Sequence, residues 1–265
     1  MTMRMILEHV SLVFAASLLA VAVGLPLGVA AYVAPRARNA ILRFSDLLQT
    51  IPALALLGMI MVVAGAGKRT VVIGLMLYSL LPIVRNTCVG LLQVDPGVRE
   101  AARGMGMTDA YRIVCVELPL AFPTVFTGIR IAAVNAIGTA VFAAFVGGGG
   151  LGGVLNRGIR TQNLRLILSG TAALMAIALL LDFVMSFLEK RVRSRGGLQR
   201  RGLLPFAAVL LIICAVLPVG LRADSGENTL VLYDGDYSET QLMHHMVKLL
   251  AESETDLSVT IKDVP

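Results

Sequence analysis

Few residues in this chain have the types and spacing to do chemistry. Gly148, Gly150 and Gly153 satisfy G-x-G-x-x-G, the pattern whose backbone amides cradle a pyrophosphate. That chemistry needs a strand before the glycines, and here a long apolar run precedes them. A flexible external loop or a broken helix is expected there, because clustered glycines weaken helices. The run Gly65-Ala66-Gly67-Lys68-Arg69 lacks both the upstream glycine and the Ser or Thr of a phosphate-binding loop. If ATP drives this protein, another subunit binds it. His9, His244 and His245 have no nucleophile, carboxylate or metal ligand at a recognisable spacing. The chain is not expected to be an enzyme, nor to hold a metal.

Two other groups of polar residues stand out by position. Arg85 and Asp182 lie inside apolar runs, where an ionisable side chain is costly and faces a bundle interior or a partner. Both fall toward the same end of their runs, which makes an ion pair between them geometrically possible. The segment from Glu100 to Pro119, EAARGMGMTDAYRIVCVELP, is polar and helix-prone and lies between two long apolar runs. It reads as a water-facing loop that carries its own helix, and so as a docking surface.

The elements that must position these residues are membrane spans. With 57% hydrophobic and 15% charged residues and a mean hydropathy of +0.81, the composition is that of a polytopic, all-α membrane protein. Apolar runs cover Val10–Ala34, Leu47–Gly67, Thr70–Val94, about Thr124–Val146, about Leu166–Leu188 and Gly202–Leu221. Each is long enough at ~1.5 Å per residue to cross or nearly cross a ~30 Å hydrocarbon core. Six spans are predicted. Cys88, Cys115 and Cys214 show no metal or disulfide spacing and are read as reduced structural residues.

The net charge of +6 is topological. The arginines sit in short loops rather than along one face, which argues against nucleic acid. Loops after spans one, three and five carry twelve Lys and Arg residues, from Arg36 to Arg201; the opposite side carries seven, from Arg4 to Arg222. The positive-inside rule therefore places Glu100–Pro119 in the cytoplasm and both termini outside.

After Arg222 the composition becomes that of a soluble protein. Thr229–Tyr233 alternates like a strand, Ser238–Ala251 has helical apolar spacing with Ser238 placed to cap it, and Leu257–Ile261 reads as a second strand. A transmembrane domain over 1–222 (coupling loop 95–120) and the opening β-α-β of an α/β domain over 223–265 are expected. Some forty residues cannot close a core alone, so the tail reads as the start of a longer domain.

The central segment resembles the cytoplasmic coupling loop of ABC-importer permeases of type I, the Glu-Ala-Ala loop. Glu100, Ala101, Ala102, Gly106, Leu118 and Pro119 stand at the family's spacing, with Val116 in place of the usual isoleucine. The stretches Gln49–Gly58, Leu77–Thr87 and Ala136–Ala140 resemble the subfamily that imports glycine betaine, carnitine and choline. Thr229–Val264 resembles the start of its extracytoplasmic solute-binding domain. There an aromatic-Thr-Glu sequence follows the first strand, and this chain has Tyr237-Ser238-Glu239.

The resemblance implies a permease subunit in a bacterial cytoplasmic membrane, working as a pair of copies with a dimer of ATPase subunits that bind ATP and Mg. The solute-binding domain would be fused or separate, and the solute a small zwitterion or quaternary amine. Related fused permeases carry ergothioneine or bile acids, which widens the cargo. An ATP-independent secondary transporter is the alternative class.

Overall fold

A computed structural model of the chain describes residues 3–194, 229–234, 238–254 and 258–263. The chain divides into two units, Met1–Leu221 and Arg222–Pro265.

In the first unit the apolar runs become helices α1 (Met3–Val33), α2 (Pro35–Thr50), α3 (Ala53–Ala64) and α4 (Lys68–Leu92). Two short helices follow, α5 (Pro96–Gly104) and α6 (Asp109–Arg112), then a π-helical turn over Ile113–Glu117 and helix α7 (Leu118–Thr139). A 3₁₀ segment (Ala140–Val146), α8 (Gly152–Arg160) and α9 (Leu164–Ser194) come next. Among the described residues, four stretches are long and apolar enough to span a membrane: Met3–Val33, Lys68–Leu92, Asp109–Val146 and Leu164–Arg191. The pair α2 and α3, bent by 98°, makes a fifth if taken as one broken span. The sixth expected span, Gly202–Leu221, lies outside the described residues.

Helix α4 is the centre of the bundle, with α1 on one side and α7 on another. Small residues set these approaches, as is usual where lipid removes the hydrophobic drive for helix pairing. Gly24 and Gly28, one turn apart on α1, lie against Ile83 and Thr87; a Cβ added at Gly28 would sit 2.5 Å from Thr87 Cβ. On α7, a Cβ at Gly128 would sit 2.6 Å from the Pro82 carbonyl oxygen. The core is correspondingly small-residue and aliphatic, with Leu12, Ala16, Val71, Leu75 and Ala140 in one cluster and Ala20, Ile83, Leu91, Val125 and Ala132 in the other. Helix α9 packs against α7 and α8 and leaves Leu168, Met175, Leu179, Leu180 and Phe183 exposed, the apolar face expected of a lipid-contacting span.

The run Leu47–Gly67 is not the single straight helix its composition predicted. It breaks at Ile51-Pro52, and α3 is only 12 residues long. Proline disfavours the helical region at the residue before it, and Ile51 is accordingly extended, with φ −72° and ψ 129°. The break is pinned to α4: Gln49 Nε2 donates to the Tyr78 carbonyl at 2.7 Å, and the Tyr78 hydroxyl donates to the Ile51 carbonyl.

The glycine cluster forms a tight turn between the 3₁₀ segment and α8. Gly147 closes that segment in the left-handed region, at φ +75°, and Gly150 lies over the buried His9 ring. His9 itself is a structural group, with Nε2 3.1 Å from the Ile137 carbonyl oxygen.

In the second unit, strands β1 (Thr229–Asp234) and β2 (Ser258–Asp263) pair in parallel, Thr229 opposite Ser258, with helix α10 (Ser238–Glu254) between them in sequence.

Candidate functional site

The segment Glu100–Pro119 is two helices joined by one glycine turn. Asp95 caps α5, its carboxylate accepting from the Gly97 amide at 2.6 Å, with Pro96 at the first helical position where its missing amide costs nothing. At the other end the Met107 amide donates to the Ala102 carbonyl at 3.2 Å and the Gly106 amide to the Arg103 carbonyl at 2.9 Å. These two bonds are a Schellman closure, which needs a left-handed residue between helix and exit. Gly106 supplies it at φ +76°. Thr108 then caps α6, accepting from the Tyr111 amide.

On α5, Ala102 is buried against the body of the protein, while Glu100, Ala101, Arg103 and Met105 are exposed. Met105 is 68% exposed, a large apolar side chain at the tip of a polar helix. Leu118 and Pro119 open α7, half-buried. The surface thus presents a carboxylate, a guanidinium, small residues and one thioether.

The root of the segment is a buried ion-pair cluster that the sequence reading missed. Glu117 is fully buried; it accepts from Arg112 Nε at 2.6 Å and from the Tyr32 hydroxyl at 2.6 Å, and Arg99 Nε lies 3.9 Å away. Arg112 also holds Asp109 at 2.5 Å. Arg99 donates to the Leu91 and Leu92 carbonyls at 2.7 and 3.0 Å, capping the end of α4, and its guanidinium lies 5.6 Å from the Tyr32 ring centre. Arg112 and Glu117 are five residues apart, and the π turn's i to i+5 winding brings them together. One cluster therefore ties α5 and α6 to the ends of α1, α4 and α7.

The expected pair of Arg85 with Asp182 does not form. Arg85 instead holds Asp46 of α2 at 2.7 Å, and Asp182 holds Arg130 of α7, through Nε at 2.8 Å and Nη2 at 3.0 Å. Arg130 also reaches Glu189 at 2.9 Å, and Glu189 accepts from Thr127 at 2.8 Å. Direction around the helix axis is what sequence spacing did not give. Helix α9 lies on α7, so the acid on its inner face meets the arginine of α7. Of the three tail residues that match the solute-binding domain's pattern, Tyr237 lies outside the described residues; Ser238 and Glu239 begin α10.

The three stretches that resemble the betaine subfamily converge. Gln49 of the first, Tyr78 and Ser79 of the second, and Ala136, Gly138 and Thr139 of the third line one open pocket of about 450 Å³.

Residues 12–194 match the family described as "Binding-protein-dependent transport system inner membrane component". The chain is 35% identical over 189 residues to the glycine betaine/carnitine/choline transport system permease protein OpuCB of Bacillus subtilis, covering 71% of this chain and 87% of that one. It is 39% identical over 194 residues to the osmoprotectant import permease protein OsmW of Salmonella typhimurium, covering 71% and 90%. Among solved structures, a chain of the inward-facing MetNI methionine ABC transporter superposes with a TM-score of 0.65 at 24% identity, covering 69% of this chain and 92% of that one. That likeness carries the fold alone. The chain belongs to the family of binding-protein-dependent transport system inner membrane components.

Proposed function

We propose that the protein is the permease subunit of an ATP-driven importer for a small zwitterionic or quaternary-amine solute of the glycine betaine, carnitine and choline type. The observation that carries this is the exposed α5 surface on a buried ionic root. A helix that shows Glu100, Ala101 and Met105 to solvent is shaped to seat in a partner's groove. The cluster around Glu117 joins that helix to three spans, so motion of the partner passes into the bundle. Positional matches to permeases named for these solutes supply the cargo class.

In this reading two copies of the chain form the path. A pair of ATPase subunits, which bind ATP and Mg, seats the two α5 surfaces on the cytoplasmic side. Both termini are extracytoplasmic, and residues 223–265 begin a solute-binding domain whose parallel β1-α10-β2 arrangement suits an α/β fold.

The test is reconstitution with the cognate ATPase and solute-binding component. Wild type takes up glycine betaine only with ATP; Glu100→Ala combined with Gly106→Pro abolishes uptake and loosens the complex. Uptake and assembly unchanged in that variant contradict the coupling assignment, and uptake driven by an ion gradient without ATP contradicts the transporter class.

A further inference from the structure

Polar side chains of α2, α4 and α7 gather on one open face, and those of α4 and α7 lie within stretches long and apolar enough to span a membrane. On α4, Tyr78 and Arg85 are two turns apart and share a face, and Arg85 is exposed. On α2, Asp46 and Gln49 face α4. On α7, Asn135 and Gly138 are exposed and Thr139 is half-buried, all within the span Asp109–Val146. The non-helical break at Ile51-Pro52 meets this face through the Tyr78 hydroxyl, which donates to the Ile51 carbonyl. Irregular backbone and ionisable groups at membrane depth occur where they line a water-filled cavity or meet protein. In the importer reading above, this face lines the path between the two copies.

We infer that the pocket formed by Gln49, Tyr78, Asn135, Gly138, Thr139 and Phe142 is a solute subsite on that face, built for a small solute of zero net charge that carries both a quaternary ammonium and a carboxylate. The inference rests on the importer reading above and specifies where in the membrane the solute pauses. At about 450 Å³ the pocket is of small-molecule size. Its lining offers the rings of Tyr78 and Phe142 to a trimethylammonium group. It offers the Asn135 amide to a carboxylate, and the Thr139 hydroxyl, which already bonds the Asn135 carbonyl at 3.0 Å, helps to fix that turn. None of its lining residues is ionisable at neutral pH. The nearby carboxylate of Asp46 is matched by Arg85 at 2.7 Å. A solute with a net charge would enter without a counter-charge, whereas one that carries both signs brings its own.

Gly138 allows a clean test, because a Cβ added there meets no atom within 4 Å. Gly138→Leu fills the pocket while favouring the helix. In proteoliposomes holding the complete complex, with labelled glycine betaine as probe, Gly138→Leu is expected to lower ATP-driven uptake at least tenfold with complex assembly unchanged. Asn135→Asp places a carboxylate in the pocket and is expected to raise the ratio of choline uptake to glycine betaine uptake about tenfold, equivalent to about 1.4 kcal/mol. The solute-binding component is common to both proteins and cancels in that comparison. Wild-type uptake in Gly138→Leu, or an unchanged ratio in Asn135→Asp, overturns the subsite and leaves the importer reading standing. A wild-type complex that moves neither solute with ATP overturns both.

Discussion

Replacing Glu117 by alanine is the sharpest perturbation of the coupling root. Its carboxylate is fully buried and accepts two hydrogen bonds at 2.6 Å, from Arg112 and Tyr32. Removing one partner of a buried ion pair costs about 3–5 kcal/mol, and Arg112 is left with only the exposed Asp109 as a counter-charge. For a chain of this size about 2–4 °C of unfolding temperature corresponds to each kcal/mol, so the purified protein should melt roughly 6–20 °C lower. Glu117→Gln keeps the volume and an acceptor for Tyr32, and should lose only about 1.5–3 kcal/mol, the worth of a charged hydrogen bond. Pairing Glu117→Leu with Arg112→Met removes both charges and should recover most of the stability, because buried ion pairs are replaceable by packed apolar groups. That double variant should still transport poorly, since Arg99 and Tyr32 lose the group that joins them. Thermal unfolding by circular dichroism and ATP-driven uptake read the two effects separately. A melting shift below about 2 °C for Glu117→Ala refutes the reasoning, since it means less than about 1 kcal/mol resides in the cluster.

Two further outcomes follow from the bundle itself. In double-variant cycles of unfolding temperature, Arg130→Met and Asp182→Asn should be non-additive while Arg85→Met and Asp182→Asn add, as the observed pairing requires; the reverse pattern restores the pair expected from sequence. Gly28→Leu should destabilise by about 3 kcal/mol or more through overpacking against Thr87, whereas Gly58→Ala, with nothing within 4 Å of its Cβ, should gain about 0.5–1 kcal/mol of helix propensity; equal effects by thermal unfolding contradict the α1–α4 packing.

What could be read from sequence was what depends on linear spacing. The polar segment stood out because Glu100, Gly106 and Pro119 occupy fixed offsets, and the structure gives Gly106 a physical reason in its left-handed turn. Long spans were legible because a helix of lipid-facing length must be apolar throughout. Glu117 was passed over because it stands between Val116 and Leu118 with no partner at helical spacing. Its partners come from a π turn and from Tyr32, 85 residues away. The one available signal was an acidic residue in an otherwise apolar helix start, five residues after an arginine. The break in Leu47–Gly67 was foreshadowed by Pro52, because a proline that suits the first turn of one helix also ends the helix before it. Pairing of Arg85 and Asp182 failed because apolar periodicity gives depth along a span but not which neighbour a face meets. The Gly24 and Gly28 spacing was the readable clue that α1 would claim one side of α4.

The central claim is that the exposed tip of α5 is where an ATPase subunit seats. A photoreactive side chain placed at Met105, 68% exposed, and in a separate variant at Val63 of α3, 89% exposed, compares that tip with an equally open site elsewhere. In membranes that contain the whole complex, the account predicts an ATPase adduct from position 105 whose yield changes with ATP, and none from position 63. An ATPase adduct from position 63, with none from position 105, contradicts it.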